Sequence, residues 1–514
     1  MRPEAFDYPA ADLLGLWKSL LLCQFHDIIP GSSIHRVYEE SGALVRGVAE
    51  KARALAAKAA ATMLAKKKDA LTLFNPSSTT FSGVVSLPAG WNQCRMQNAE
   101  CTMSVQRDGE RTVVQVEVPP RSFVTLLKGD GTPGRAAPAR ARRSGRLVLE
   151  NDRVKYEIDP KTLRVVRALD KDCGRAFITP ERPGNAISLY EDRPSCFDAW
   201  DVEEYALDMP VGAPEVLSAE PFAGPVRSGL RATFRIGSSV FRQEIRLDAG
   251  SKRLDFVTET DDWKESHKWL RAAFPVDVTA DEARFEIQYG TVARPTHDNT
   301  KWQYAQFESC AHRYADLSDP DFGVALLNDC KYGYRAKGSE LSISLLRAST
   351  EPDPIADRGA HRFTYAILPH ERDLAHTDEV VAAAACLNQG VERFEGLAFD
   401  APCADKGDAK APPSERGVAR SAGGSTPCGA LPVDLVGEGV DLAVLKKAED
   451  SDDLVVRLVE TRGRRATATL AAPGAATAVP TLANELEETG APLALPASLS
   501  FRPFEIKTLR LSAK

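Results

Sequence analysis

The chain of 514 residues carries no excess of either charge, no cysteine pair at metal-binding spacing and no long apolar run. Each absence removes a class of protein. Against 72 acidic residues stand 65 basic ones, a net charge of −7. Nothing global therefore recruits nucleic acid or an anionic membrane, and neither is expected as a partner. The ten cysteines (Cys23, Cys94, Cys101, Cys173, Cys196, Cys310, Cys330, Cys386, Cys403 and Cys428) include no Cys-x-x-Cys. That excludes a zinc finger or a disulfide framework and predicts reduced, mostly buried thiols. The early apolar stretch 13–23 is interrupted by Lys18 and falls far short of the roughly 20 residues that span a bilayer. Glu4, Asp7 and Asp12 precede it, a pattern wrong for a secretory signal. A cytoplasmic location is the expectation.

What is present is globular: 43% hydrophobic and 27% charged residues, in a chain long enough for two to four domains. Leu13, Leu16, Trp17, Leu20 and Leu21 follow helical spacing, so one face of this segment needs burial. Pro30-Gly31 breaks the helix, and Ser32 and Ser33 are suited to cap the next one. A second stripe from Ile34 through Val37, Leu44, Val48, Leu55 and Met63 predicts a long helix over 34–67 that ends at Lys66, Lys67 and Lys68. Beyond Leu71 the pattern alternates with period two between Gly, Pro and Asn clusters, as in 111–118, 230–236, 241–247 and 283–289. Strands without alternating helices argue for antiparallel sandwiches. The fold class expected is mainly β with an N-terminal α-helical hairpin, the remnant of a helical bundle followed by antiparallel β-sandwich domains. The boundaries drawn are 1–68 (partial helical bundle), 69–128 (small β domain), 129–145 (basic linker with Arg135, Arg140, Arg142 and Arg143), 146–380 (large sandwich), 381–434 (Pro-, Gly- and Ala-rich linker) and 435–514 (C-terminal sandwich).

The sharpest local feature is Gln24-Phe25-His26-Asp27-Ile28-Ile29-Pro30-Gly31-Ser32-Ser33. A His-Asp pair at a helix end before a Pro-Gly break is either a capping arrangement or the start of a site, since neutral imidazole ligates zinc and a carboxylate binds hydroxyls. One imidazole makes no metal site. His376-Thr377-Asp378 has His-x-Asp spacing but suits a solvated turn. His297-Asp298 reads as a hydrogen-bonded turn. Asp192, Asp198 and Asp201 around Trp200 suit either sugar contact or a network between sheets. Asn328, Asp329, Lys331 and Tyr332 form a tight turn between apolar strands, open to the same two readings.

The segment from Trp17 to Ile34 resembles the mid-chain signature of the glycoside hydrolase family 38 α-mannosidases, particularly their cytosolic type. Colinear islands continue the resemblance: Leu189-Tyr190-Glu191-Asp192-Arg193-Pro194 with Asp198-Ala199-Trp200-Asp201, Asp262-Trp263-Lys264-Glu265-Ser266-His267-Lys268, Arg294-Pro295-Thr296-His297-Asp298-Asn299-Thr300, residues 323–334, Phe363-Thr364-Tyr365-Ala366 and Lys446-Lys447-Ala448-Glu449-Asp450. The resemblance implies a retaining, zinc-dependent hydrolase of terminal α-mannosides whose partner molecule is a mannose-containing oligosaccharide. It maps a zinc ligand onto His26 and a substrate-contacting carboxylate onto Asp27. It also implies an N-terminal β/α barrel bearing the nucleophile, the acid/base and the remaining zinc ligands. The match begins near Tyr8, inside the helical bundle, so no catalytic residue is assigned and the chain is expected to be inactive alone. Three arrangements are open: a C-terminal portion of a longer enzyme, the second chain of a split enzyme with a separate barrel chain, or a non-catalytic carbohydrate-binding or scaffolding protein. A homo-oligomer is compatible with each.

Overall fold

The computed structural model describes residues 6–97, 102–129, 140–143, 145–399, 433–471 and 479–512. Two helices, α1 (Ala10–Leu22) and α2 (His35–Met63), form the expected hairpin. The caps differ from expectation. Ile34 is the residue preceding α2 and no side chain caps it. Ser32 and Ser33 instead turn back onto Asp27, because Gly31 at φ +83° reverses the chain. Lys66, Lys67 and Lys68 do not end the helix; they lie in the strand Ala65–Phe74 that follows it. None of the α1 residues is buried, and Leu14, Trp17, Leu21 and Leu22 are all more than half exposed. Of the apolar stripe that sequence periodicity assigns to a core, Trp17 and Leu21 stay exposed, whereas Leu13, Leu16 and Leu20 are half-buried.

The hairpin is anchored at its far end. Ala60 and Leu64 pack with Phe74, Phe123, Phe394 and Leu397, and Phe123 stacks on Phe399 with ring centroids 5.3 Å apart. These aromatic side chains belong to a small sandwich of a four-stranded and a three-stranded sheet. Its four-stranded sheet runs Glu392–Ala398, Ala65–Phe74, Phe123–Lys128, Cys94–Met96, so its edge strand comes from more than 300 residues downstream. The linker drawn over 381–434 therefore contains structure. Glu379–Asn388 is a helix with Val380, Val381, Ala384 and Ala385 buried, and Glu392–Ala398 pairs in register with Ala65–Phe74. A short segment of mixed composition carries too weak a period to reveal such a distant partner. Within the basic stretch, Arg140–Arg143 pairs with Leu147–Glu150 as an edge strand; Arg135 lies outside the described residues.

Five-, six- and nine-stranded antiparallel sheets enclose one large core that includes Tyr156, Phe177, Phe234, Phe241, Trp263, Phe274 and Tyr365. The strand runs expected over 230–236, 241–247 and 283–289 fall in this body, the last ending at Ile287 before a turn. Residues 433–471 and 479–512 form a second sandwich around Val456, Leu458, Leu470, Phe501 and Leu509. It is tied back by the Arg121 guanidinium donating to the Leu442 carbonyl at 2.5 Å and by Arg462 with Asp378 at 2.6 Å. The thiols differ from expectation: of the seven described, Cys23 and Cys94 are buried, whereas Cys173, Cys196, Cys310 and Cys330 are exposed. No described helix is long and apolar enough to cross a membrane.

The His370–Asp316 ion pair is fully buried in the large sandwich. His370 Nε2 lies 2.6 Å from the Asp316 carboxylate, both side chains at zero exposure, with Gly323 leaving room for the ring. Burial disfavours the imidazolium, and the Asp316 carboxylate more than reverses this, holding His370 above the usual imidazole value. A raised value in the folded state means stabilisation that is complete below pH about 6.5 and fades as pH rises through the folded value. His370→Leu leaves Asp316 uncompensated and is expected to cost about 3–5 kcal/mol. Urea unfolding at several pH values should give a penalty that shrinks as pH rises from about 6.5 through the folded His370 value.

Candidate functional site

Three strands of the six-stranded sheet end together. Glu191 of Ala186–Glu191 is opposite Lys268, and Trp269 is opposite Arg347, the last residue of Glu340–Arg347. This register places Asp192, His267 and Arg347 at one end of the sheet, from which the segments after 191 and after 347 emerge. Arg347 Nε donates to Asp192 Oδ2 at 2.8 Å, and its Nη2 donates to the carbonyls of Asp198 at 3.1 Å and Asp201 at 2.7 Å. The Asp198 carboxylate accepts the Thr350 hydroxyl at 3.1 Å and the Thr350 N–H, with His267 Nε2 3.4 Å from the same hydroxyl. Asp192 is 1% exposed; burial pushes its carboxyl above the usual range despite Arg347, with Asp198 adding to the rise. The acidic residues around Trp200 are thus a network that fastens a loop to the sheet.

The tip of that loop is open. Phe197, at φ +56°, is 68% exposed and Trp200 is 53% exposed, their rings edge to face at 6.3 Å. The indole meets the turn of the helical hairpin. Trp200 Nε1 lies 3.4 Å from Asp27 Oδ1, and Ser32 Oγ lies 3.3 Å from the same oxygen. Ser33 Oγ donates to the Asp27 carbonyl at 2.6 Å, while the Ser33 N–H donates to the Tyr38 hydroxyl at 2.6 Å. His26 stands beside Asp27 with Nε2 3.5 Å from Oδ2, its side chain 78% exposed against 39% for Asp27. A second bridge, His35 Nδ1 to Asp353 Oδ2 at 3.0 Å, joins the first turn of α2 to the segment after Arg347. The predicted pair His26 and Asp27 therefore lies exposed where hairpin and large sandwich meet. Arg347, Thr350, His35 and Asp353 went unnoticed in the sequence, where each is an isolated polar residue with no spacing to mark it.

The remaining candidates do not join this place. His376 contacts Asp373 at 2.6 Å while Asp378 pairs with Arg462, so the His-x-Asp spacing brings no shared ligand set. Asp298 pairs with Lys337. Asn328 is buried, donating to the His312 carbonyl at 2.7 Å, and Asp329 accepts the Thr364 N–H at 2.8 Å. Both shape a turn. Zinc takes about four ligands, and among the described residues there is no group of three His, Cys, Asp or Glu side chains able to hold a metal ion. His26 with Asp27 does not make up that donor set, so no step here is routed through a metal.

An α-mannosidase structure from Enterococcus faecalis V583 superposes with a TM-score of 0.74 at 15% identity, covering 98% of this chain and 64% of that one. Three family models match: the alpha mannosidase middle domain over 2–63, the glycosyl hydrolases family 38 C-terminal domain over 149–355, and the family 38 C-terminal beta sandwich domain over 439–509. Human alpha-mannosidase 2C1 is 37% identical over 408 residues, 78% of this chain and 37% of that protein. Dictyostelium discoideum alpha-mannosidase G is 28% identical over 554 aligned residues, 99% of this chain and 48% of that protein. The chain belongs to glycosyl hydrolase family 38, and it spans less than half the length of these two relatives.

Replacing Arg347 by Met removes the cation that offsets buried Asp192 and frees two carbonyls. The expected cost is about 3–5 kcal/mol in urea unfolding, and a loss below 1 kcal/mol would mean the network carries little of the fold's stability.

Proposed function

We propose that these 514 residues form the C-terminal portion of a retaining α-mannosidase acting on terminal α-mannosides of oligosaccharides. The observation that carries this reading is the turn with exposed His26 and half-buried Asp27, the latter held from both hairpin and sandwich, in a chain of this family. Retaining hydrolysis takes two carboxyl groups about 5 Å apart, one attacking the anomeric carbon and one serving as acid and then base. We assign both to a β/α barrel outside these residues, in the same polypeptide or in a separate chain. Asp27 accepts hydrogen bonds from sugar hydroxyls. Were a zinc ion held at the junction with that barrel, His26 would offer it one imidazole and the barrel would have to supply the other ligands.

The exposed Leu14, Trp17, Leu21 and Leu22 support assembly with such a barrel over a standalone binding protein. Apolar residues left in water at this density mark a face that another domain covers. The resemblance to the cytosolic type supports a cytoplasmic location.

The isolated chain is expected to show no turnover of p-nitrophenyl α-mannoside with or without added zinc; robust zinc-dependent turnover would overturn the reading. In the form assembled with its barrel, His26→Ala is expected to keep the far-ultraviolet spectrum and lose bound zinc. Unchanged zinc stoichiometry in that variant would remove His26 from the site.

A further inference from the structure

We infer that Trp200 is a positioning residue for Asp27, presented by a loop whose shape Arg347 sets, so that the carboxylate is aimed correctly only when hairpin and sandwich are docked. The inference rests on the sugar-binding role proposed for Asp27. Oδ1 of Asp27 takes two donors, the Trp200 indole N–H at 3.4 Å and the Ser32 hydroxyl at 3.3 Å. Both on one oxygen stop the carboxylate from rotating and leave Oδ2, beside His26 at 3.5 Å, for an incoming hydroxyl. Ser32 and His26 belong to the same turn as Asp27 and move with it. Trp200 does not: it is 173 residues away and rides on the large sandwich.

An indole 53% exposed is held by little packing, so its place depends on the backbone beneath it. That backbone is pinned four ways. The N–H groups of Trp200 and Asp201 both donate to the Phe197 carbonyl, at 2.8 and 2.9 Å. The Arg347 guanidinium takes the carbonyls of Asp198 and Asp201, at 3.1 and 2.7 Å, while Asp192 holds the guanidinium itself. Asp192 and Asp198 are both largely buried beneath this loop. The anchoring is spent on presenting an exposed indole to one carboxylate.

Two measurements test this. In the isolated chain, the indole N–H resonance of Trp200 is identified in a nitrogen-proton correlation spectrum as the one lost in Trp200→Phe. Asp27→Asn is expected to shift that resonance and leave those of the other tryptophans in place, and Arg347→Lys to shift it too. A Trp200 resonance unmoved by both Asp27→Asn and Asp27→Ala overturns the contact.

In the enzyme assembled with its barrel, Trp200→Phe is expected to lower kcat/KM for an α-mannoside about tenfold, the loss of one hydrogen bond to a charged group. Trp200→His, which keeps a ring N–H, recovers part of it, and in an Asp27→Ala background Trp200→Phe costs nothing more. An equal loss in both backgrounds overturns the positioning role. Asp27→Ala leaving kcat/KM intact would instead overturn the proposed role of Asp27, with the resonance result standing as a separate fact about the contact.

Discussion

The architecture depends on one long-range pairing: the strand Glu392–Ala398 laid against Ala65–Phe74. The chain leaves the helical hairpin, forms most of a small sandwich, builds the entire large sandwich and then returns to complete the small one. Closing a loop of more than 300 residues is entropically expensive only in its logarithm, so such a return is affordable where it buries aromatic side chains. Here it buries Phe74, Phe123, Phe394 and Leu397 around Ala60 and Leu64. The pairing thereby locks the base of the hairpin to the small sandwich, while the loop that meets its tip grows from the large one.

With the base fixed, the tip meets the large sandwich through polar contacts instead of a core. Trp200 reaches Asp27 and Asp353 reaches His35 across the junction. Hydrogen bonds of this kind contribute little net stability but strongly prefer one geometry. A junction held by direction more than by burial suits a place where a further domain and a polar ligand are to fit. The exposed Leu14, Trp17, Leu21 and Leu22 of α1 fit the same picture, because exposed apolar side chains offer a surface that a further domain can cover.

Much of this was legible in the sequence, and the reasons for the rest are specific. Period-two alternation located strands such as Ser239–Asp248 because alternate residues there are buried against the core. The Phe25-His26-Asp27 turn was legible because Pro30-Gly31 interrupts the pattern sharply. The helix after it was drawn too long because lysines suit a helix end as well as an exposed strand, as Lys66–Lys68 demonstrate. Ser32 and Ser33 were assigned to the helix that follows them, whereas their hydroxyls serve Asp27, five and six residues before them. A capping serine and a turn-closing serine have the same sequence signature.

The sequence by itself determined the class of the fold, the hairpin and the pair His26-Asp27, since local periodicity and turn chemistry act over a few residues. Tertiary structure alone decided that Glu392–Ala398 completes the first sandwich, that Arg347 ties Asp192 to the Trp200 loop, and that the indole reaches Asp27. Those contacts join residues 146 to more than 300 positions apart in the chain. Their partners are set by strand register and sheet order, and neither is written in the spacing of residues along a single segment.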